Sequence, residues 1–242
     1  MDFSVSKFKK NGFNLHIREG LENSLDINEL INLISQPPQI ASSELSGRAS
    51  IRFANLSNVG MVAIKYYMRG GVFGKFITRR YLKLGKTRGE LEYEFLEKVN
   101  SLGLKAPRPL AYADKGGLFY HAWLVTQVIP ETISLADLSL RDEDRATRLL
   151  LELVRQISIL IKAGVWHVDL HPGNVLVDKN DDLHILDFDK AMHFTGSDYE
   201  LRDRYLFRWR RAAIKHGLPD VLTEIVCLGL RSYHGEQSDR LT

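Results

Sequence analysis

Three polar residues in the second half of the chain have the types and order that phosphoryl transfer to an alcohol requires. Asp169 lies in Trp166-His167-Val168-Asp169-Leu170-His171-Pro172-Gly173-Asn174, Asn174 follows five positions later, and Asp187 closes the apolar run Leu183-His184-Ile185-Leu186. Such a transfer needs a carboxylate to orient the hydroxyl and accept its proton, and Asp169 fits that role. It also needs oxygen ligands for Mg²⁺, which neutralises charge between the β- and γ-phosphates of ATP; Asn174 and Asp187 fit there. Val175 to Val177 and Leu183 to Leu186 flank a polar stretch, 178–182, and read as the two strands of a hairpin. Both metal ligands therefore sit beside strand ends.

The order Asp, Asn, Asp is that of a kinase catalytic loop and its metal-binding turn, and the upstream chain supplies the matching parts. Val62-Ala63-Ile64-Lys65 reads as a strand that delivers a lysine to the α- and β-phosphates. An earlier strand runs from Leu45 to Ile51 with Gly47 at its bend, and a turn near Asn58 and Gly60 joins the two. Gly47 either lets the backbone approach a phosphate or is an ordinary turn glycine. Residues 87–102 read as a helix, with Leu91, Phe95, Leu96, Val99 and Leu102 on its apolar face. Glu90, Glu92, Glu94 and Glu97 lie on it; at most one is expected to pair with the strand lysine, and most of them to be ordinary surface residues. Two strands follow, Leu110 to Ala113 and Trp123 to Ile129. Backbone groups at 127–129 are placed to meet an adenine edge.

Further helices are expected over 142–163, Tyr199 to His216 and Leu218 to Leu230, and a short one capped by Asp26. In the helix from Tyr199, Leu201, Tyr205, Leu206 and Trp209 face inward, and Arg202, Arg204, Arg208, Arg210 and Arg211 make it strongly basic. The 242 residues, 44% of them hydrophobic, suffice for a large core. The division expected is an N-terminal extension over 1–44, a nucleotide-binding lobe over 45–130 and a catalytic lobe over 131–242. Cys227 is the only cysteine, so no intrachain disulfide forms. A net charge of +3 does not call for nucleic acid but suits an anionic partner. Met1 to Gly12 has no signal-peptide core, and no apolar run is long enough to span a bilayer. The expectation is a cytoplasmic protein, soluble or peripherally attached to a membrane. The connector 68–88 alternates cations with aromatic and aliphatic residues; it is either a solvated face or a surface that meets an anionic amphiphile.

With these motifs in place, the chain resembles the lipopolysaccharide inner-core kinase family that phosphorylates 3-deoxy-D-manno-octulosonic acid (Kdo) or heptose. The resemblance runs from about Gly47 to Ile214. It rests on Gly47-Arg48, Lys65-Tyr66-Tyr67-Met68-Arg69-Gly70-Gly71, Arg79 and Tyr81, Thr87-Arg88, Glu92, Pro107-Arg108-Pro109, Gly117-Leu118-Phe119-Tyr120, His167-Val168-Asp169-Leu170 and Asp187-Phe188-Asp189. It implies an α+β, two-lobed protein-kinase-like fold, with a small antiparallel sheet and one long helix before a mostly helical lobe that carries the metal-binding hairpin. It further implies ATP-dependent phosphorylation of a Kdo hydroxyl, the 4-hydroxyl, on lipid A-linked sugar at the cytoplasmic face of a Gram-negative inner membrane. In that frame Lys65, Glu92, Gly47 and Arg48 serve the nucleotide, Asp169 is the catalytic carboxylate, and Asn174 and Asp187 hold Mg²⁺. Two alternatives stay open: a kinase of another small acceptor, such as heptose or an aminoglycoside, and a non-catalytic nucleotide-binding module. A peptide kinase is disfavoured, because the chain after Asp187 lacks an Ala-Pro-Glu segment and is too short to build a peptide-binding surface.

Overall fold

The computed structural model describes residues 4–36, 49–67, 81–82, 85–117 and 119–235. Its chain clusters into two compact units. The first comprises Met1–Lys98 and Pro107–Val128, and the second Val99–Ala106 and Ile129–Thr242. Helices mix with antiparallel sheets throughout, the α+β class expected.

The first unit is built on one antiparallel sheet. Its strands are β1 (Val5–Lys10), β2 (Phe13–Arg18), β3 (Ala49–Leu56), β4 (Gly60–Tyr67), β5 (Tyr81–Leu82), β6 (Pro109–Gly116) and β7 (Phe119–Gln127), with helix α1 (Ile27–Ser35) and helix α2 (Arg88–Ser101) as far as Lys98. The strand order is β1-β2-β6-β7-β4-β3, with β5 also on β7. The hairpin β1–β2 was not foreseen. Asn11 and Gly12 both have positive φ, 52° and 78°, as a two-residue hairpin turn whose twist matches its strands requires. Phe13, Leu15 and Ile17 alternate into the core, where α1 lays Leu30, Ile31 and Ile34 against them. Residues 5–18 are thus strands of the sheet itself. Asp26 caps α1 by accepting from the Asn28 amide at 2.7 Å.

Helix α2 differs from its expected pattern in two ways. Phe95, Leu96 and Val99 are buried, but Leu91 and Leu102 are exposed. Glu97, like Glu92, is buried, where most of these glutamates are expected at the surface, and it pairs at 2.9 Å with Arg18 of β2. The helix begins with a reciprocal cap. Thr87 Oγ1 accepts from the Glu90 amide at 3.2 Å, and Glu90 accepts from the Thr87 amide at 3.3 Å. The first turn also lies against the backbone of β7, because Gly89 has no side chain. A Cβ there would sit 2.6 Å from the Trp123 carbonyl oxygen.

The second unit contains β8 (Ile133–Ser134), α3 (Leu135–Arg141), α4 (Glu143–Lys162), β9 (Val165–Trp166), β10 (Val175–Val177), β11 (Leu183–Ile185), β12 (Met192–His193), α5 (Asp198–Lys215) and α6 (Val221–Gly235). The long α4 buries Leu149, Leu150, Leu153, Val154, Ile157, Leu160 and Ile161 on one face, as its periodicity predicts. Gln156 on the same face donates to the Leu183 carbonyl at 3.2 Å and ties the helix to the hairpin. The hairpin β10–β11 forms as expected, with β8 added to its outer side. A Ser197–Glu200 capping box starts α5, whose Leu201, Tyr205, Leu206 and Trp209 point inward. Trp209 donates its indole N–H to the Leu222 carbonyl at 3.0 Å.

The tight approach of α2 to β7 predicts that Gly89→Ala destabilises the protein by about 1–3 kcal/mol, because the obstructing atom is backbone and cannot rotate away. Urea unfolding should show a lower midpoint; an unchanged midpoint would mean that the helix can slide without cost.

Candidate functional site

In the first unit, Lys65 occupies β4 between Ile51 of β3 and Leu124 of β7. The Thr87 cap and the Gly89 contact fix the start of α2, and one turn on, the helix brings Glu92 under the sheet. Lys65 Nζ donates to both Glu92 carboxylate oxygens at 2.9 Å. Glu92 is 3% exposed, and the Tyr67 hydroxyl donates to its Oε2. The Tyr67 ring has the Lys65 ammonium and the Arg88 guanidinium each 5.5 Å from its centroid. Of the four glutamates on α2, Glu92 is therefore the one that meets the strand lysine.

Gly47 and Arg48 lie outside the described residues, as do residues 68–80 of the basic connector. In the segment 127–129, expected to face adenine, two backbone donors are already used. The Gln127 amide donates to the Arg108 carbonyl at 2.9 Å and the Val128 amide to the Met61 carbonyl at 3.0 Å. Those two donors belong to the sheet.

In the second unit, the loop bearing Asp169 is held from three sides. Tyr205 of α5 donates its hydroxyl to the Val165 carbonyl at 2.7 Å and accepts from the His167 amide at 3.0 Å. Strand β9, just ahead of the loop, pairs with β12, just after the Asp187 turn. His167, fully buried, meets the Leu186 carbonyl through Nε2 at 2.7 Å and sets its ring edge-on to Phe188 at 4.6 Å. A carbonyl only accepts, so Nε2 carries the proton. Desolvation dominates the ring's titration and lowers its pKa to about 4, so it stays neutral.

Asp169 follows a sharp bend. Its amide donates to the His167 carbonyl at 2.7 Å across Val168, whose φ is +64°. A β-branched residue in that region is strained, by about 1–3 kcal/mol for positions of this kind. The carboxylate is gripped at both oxygens. Arg208 of α5 places Nε 2.9 Å from Oδ1 and a second guanidinium nitrogen on the same atom, and Lys190 lies 3.1 Å from Oδ2. Desolvation pushes the Asp169 pKa up, but these two cations outweigh it and hold it down at about 2. Neither cation was singled out from the sequence. Arg208 was one of five arginines on a basic helix, and Lys190 follows the Asp187-Phe188-Asp189 motif with nothing in its spacing to distinguish it.

Asn174 ends a single 3-10 turn, Pro172–Asn174, which His171 opens by accepting from the Gly173 amide at 3.1 Å. The Asn174 side-chain amide donates to the Asp169 carbonyl at 3.0 Å, and the Asn174 carbonyl accepts from the Leu186 amide at 2.9 Å. Asp187 comes next, in the left-handed region with φ 62°, which aspartate tolerates better than most residues. Asp169, Asn174 and Asp187 thus sit on two short segments bonded to each other through Asn174, His167 and Leu186. Lys65 and Glu92 form a separate constellation in the first unit.

Neutral, buried His167 predicts an acid-sensitive fold. The unfolded ring takes up a proton below pH 6.5 while the folded ring resists until about pH 4, so stability should fall as pH drops through that window. In His167→Gln, that part of the slope should be missing from denaturation curves taken across the same range. An identical slope in both proteins would assign it to other groups.

The pattern agrees with what known proteins of similar sequence are. Residues 36–219 match the lipopolysaccharide kinase (Kdo/WaaP) family. A 3-deoxy-D-manno-octulosonic acid kinase of Vibrio parahaemolyticus is 31% identical over 198 residues, covering 77% of this chain and 82% of its own. The enzyme of the same name from Vibrio cholerae is 32% identical, over 64% of this chain and 66% of its own, and one from Xylella fastidiosa is 30% identical over 70% and 68%. With more than half its length matched and the Asp-Asn-Asp arrangement tied together as described, the chain belongs to the lipopolysaccharide kinase (Kdo/WaaP) family.

Proposed function

We propose that this protein transfers the γ-phosphoryl group of ATP to the 4-hydroxyl of Kdo on lipid A-linked sugar, in assembly of the lipopolysaccharide inner core. The observation that carries the chemistry is Asp169, a half-buried carboxylate kept deprotonated on a loop bonded to the Asn174 and Asp187 segments. The acceptor follows from the activity that names the relatives, Kdo phosphorylation.

Asp169 accepts a hydrogen bond from the acceptor hydroxyl and orients its oxygen in line with the γ-phosphorus. As the new O–P bond forms and the bond to ADP breaks, the hydroxyl proton passes to the Asp169 carboxylate. Lys65, fixed by Glu92, steadies the nucleotide phosphates, and Gly47 and Arg48 add backbone and charge to the same task. Among the described residues no cluster of three or more His, Cys, Asp or Glu forms a metal cage. The donor set nevertheless fits Mg²⁺, which takes one or two protein oxygens and completes its shell with phosphates and water. The Asn174 amide nitrogen is spent on the Asp169 carbonyl, which fixes Oδ1 as the end left for a cation; Asp187 supplies a carboxylate. Asn174 and Asp187 would hold Mg²⁺ there, and the ion would supply neutralising charge to the nucleotide phosphates.

A lipid-linked acceptor is met at a membrane surface. No described helix is long and apolar enough to cross a membrane. The outer face of α5 instead exposes Phe207 and Ile214, seven residues apart and each 69% accessible, with Arg210, Arg211 and Lys215 exposed beside them. That combination suits peripheral seating on the anionic cytoplasmic face of the inner membrane, with the two apolar side chains among acyl chains and the cations at phosphates.

Two outcomes are expected. Purified enzyme should phosphorylate Kdo-lipid A, and Asp169→Asn should lower turnover by about 10²–10⁴-fold, the range for loss of a positioned acid–base group, while ATP binding persists. Transfer to heptosylated core but not to Kdo would change the acceptor, and loss of ATP binding would contradict the role given to Asp169. Co-sedimentation with vesicles containing anionic lipid should weaken in the Phe207→Ser/Ile214→Ser double variant and with added salt. Undiminished sedimentation would remove α5 from the membrane contact.

A further inference from the structure

The two cations on Asp169 are not equivalent, and their difference has a consequence for the acceptor. Arg208 directs two nitrogens onto Oδ1 from the middle of α5, between the buried Tyr205 and Trp209. A planar guanidinium making two hydrogen bonds from a packed helix is held in place. Lys190 makes a single bond of 3.1 Å to Oδ2, and its side chain is 55% exposed. An ammonium on a flexible four-carbon stem exchanges partners at little cost. With both in place, Oδ1 already accepts two hydrogen bonds and Oδ2 one, so an acceptor hydroxyl must share Oδ2 with the Lys190 ammonium or replace it. Of the two cations, Lys190 is the one free to move, and its departure leaves Oδ2 wholly to the hydroxyl.

We propose that Lys190 is a specificity residue: it leaves Asp169 Oδ2 to the acceptor hydroxyl and takes the carboxylate of an acidic sugar in its place, while Arg208 stays on Oδ1 as the positioning residue. The exchange swaps one carboxylate for another, so the lysine keeps an ion pair and Asp169 keeps its neutralising arginine. It also makes full release of the catalytic oxygen depend on an acceptor that brings its own negative charge. An uncharged sugar leaves the lysine on Asp169, where it competes with the hydroxyl for Oδ2. The assignment rests on the proposed acceptor being Kdo, whose acid group lies on the same ring as the hydroxyl to be phosphorylated.

The test compares Kdo-lipid A with its Kdo methyl ester, which has the same shape and no carboxylate charge. Wild type should favour the free acid by about 10-fold or more in kcat/KM, the order expected for one charge pair at a partly exposed site, mostly through KM. Lys190→Met should bring that ratio close to one, and Lys190→Arg should restore part of it. Arg208→Met should lower kcat on both acceptors and keep the ratio, the signature of a group that positions Asp169 without reading the acceptor. A ratio unchanged in Lys190→Met would overturn the assignment. So would equal losses on acid and ester, which would put the lysine on the transferring phosphoryl group. Wild type inactive on both acceptors would overturn the proposed function and this inference with it, an outcome distinct from wild type active on both without preference, which overturns the inference alone.

Discussion

The hydrogen bond from His167 to the Leu186 carbonyl is the contact on which the second unit's site depends. It joins two segments about 20 residues apart in sequence, one carrying Asp169 and the other Asp187, and it does so inside the protein where no water competes. A charged ring there would bear the full penalty of desolvation, so the residue must be an imidazole that stays neutral. Phe188 covers the ring and Tyr205 ties the backbone on either side of Trp166. The strained bend at Val168 persists because these neighbours hold both its ends, and the bend is what turns Asp169 out of the packed interior.

The two charged constellations use opposite solutions to the same electrostatic problem. Lys65 and Glu92 are largely shielded from solvent and neutralise each other, so removing one partner costs the other an ion pair in a poor solvent. That arrangement gives a fixed position. Asp169 is only half-buried and faces two cations. Removing either leaves one, so the carboxylate stays ionised while its contacts rearrange. Rigidity suits the task proposed for Lys65, steadying phosphates common to every turnover. Redundancy suits the task proposed for Asp169, meeting a different acceptor molecule each time.

Much of this was legible in the sequence because the chemistry restricts residue types. Few residues can do what Asp169, Asn174 and Asp187 are proposed to do, and their order along two short strands narrows the reading further. Lys65 was readable from its strand, whereas Glu92 could be picked from four glutamates only by resemblance, because helical spacing alone places several of them within reach. Arg208 and Lys190 were not legible, since a basic helix and a solvent-facing lysine look alike whether or not a carboxylate waits across a gap. The hairpin β1–β2 had a local signal in Asn11-Gly12 and the alternation of Phe13, Leu15 and Ile17, but the lysines of β1 masked it. The Thr87–Glu90 cap likewise has its signal in the sequence, a Thr three residues ahead of a Glu, and α3, with seven residues, is too short to show a period.

The hairpin's place in the sheet bears on what counts as the smallest stable form of this protein. The segment shared with the family begins at residue 36, after β1, β2 and α1 have ended. Yet β2 pairs along β6, and Phe13, Leu15, Ile17, Leu30, Ile31 and Ile34 fill one side of the core that also holds Val62, Ile64 and Trp123. A chain trimmed to the family segment would uncover that apolar layer and leave β6 with a row of unpaired amides and carbonyls, the kind of edge along which proteins aggregate. The present edge, β1, is protected by Lys7, Lys9 and Lys10. Recombinant versions of this kinase should therefore be cut ahead of Val5, and an insoluble shorter version would reflect a lost strand pair, with no bearing on its chemistry.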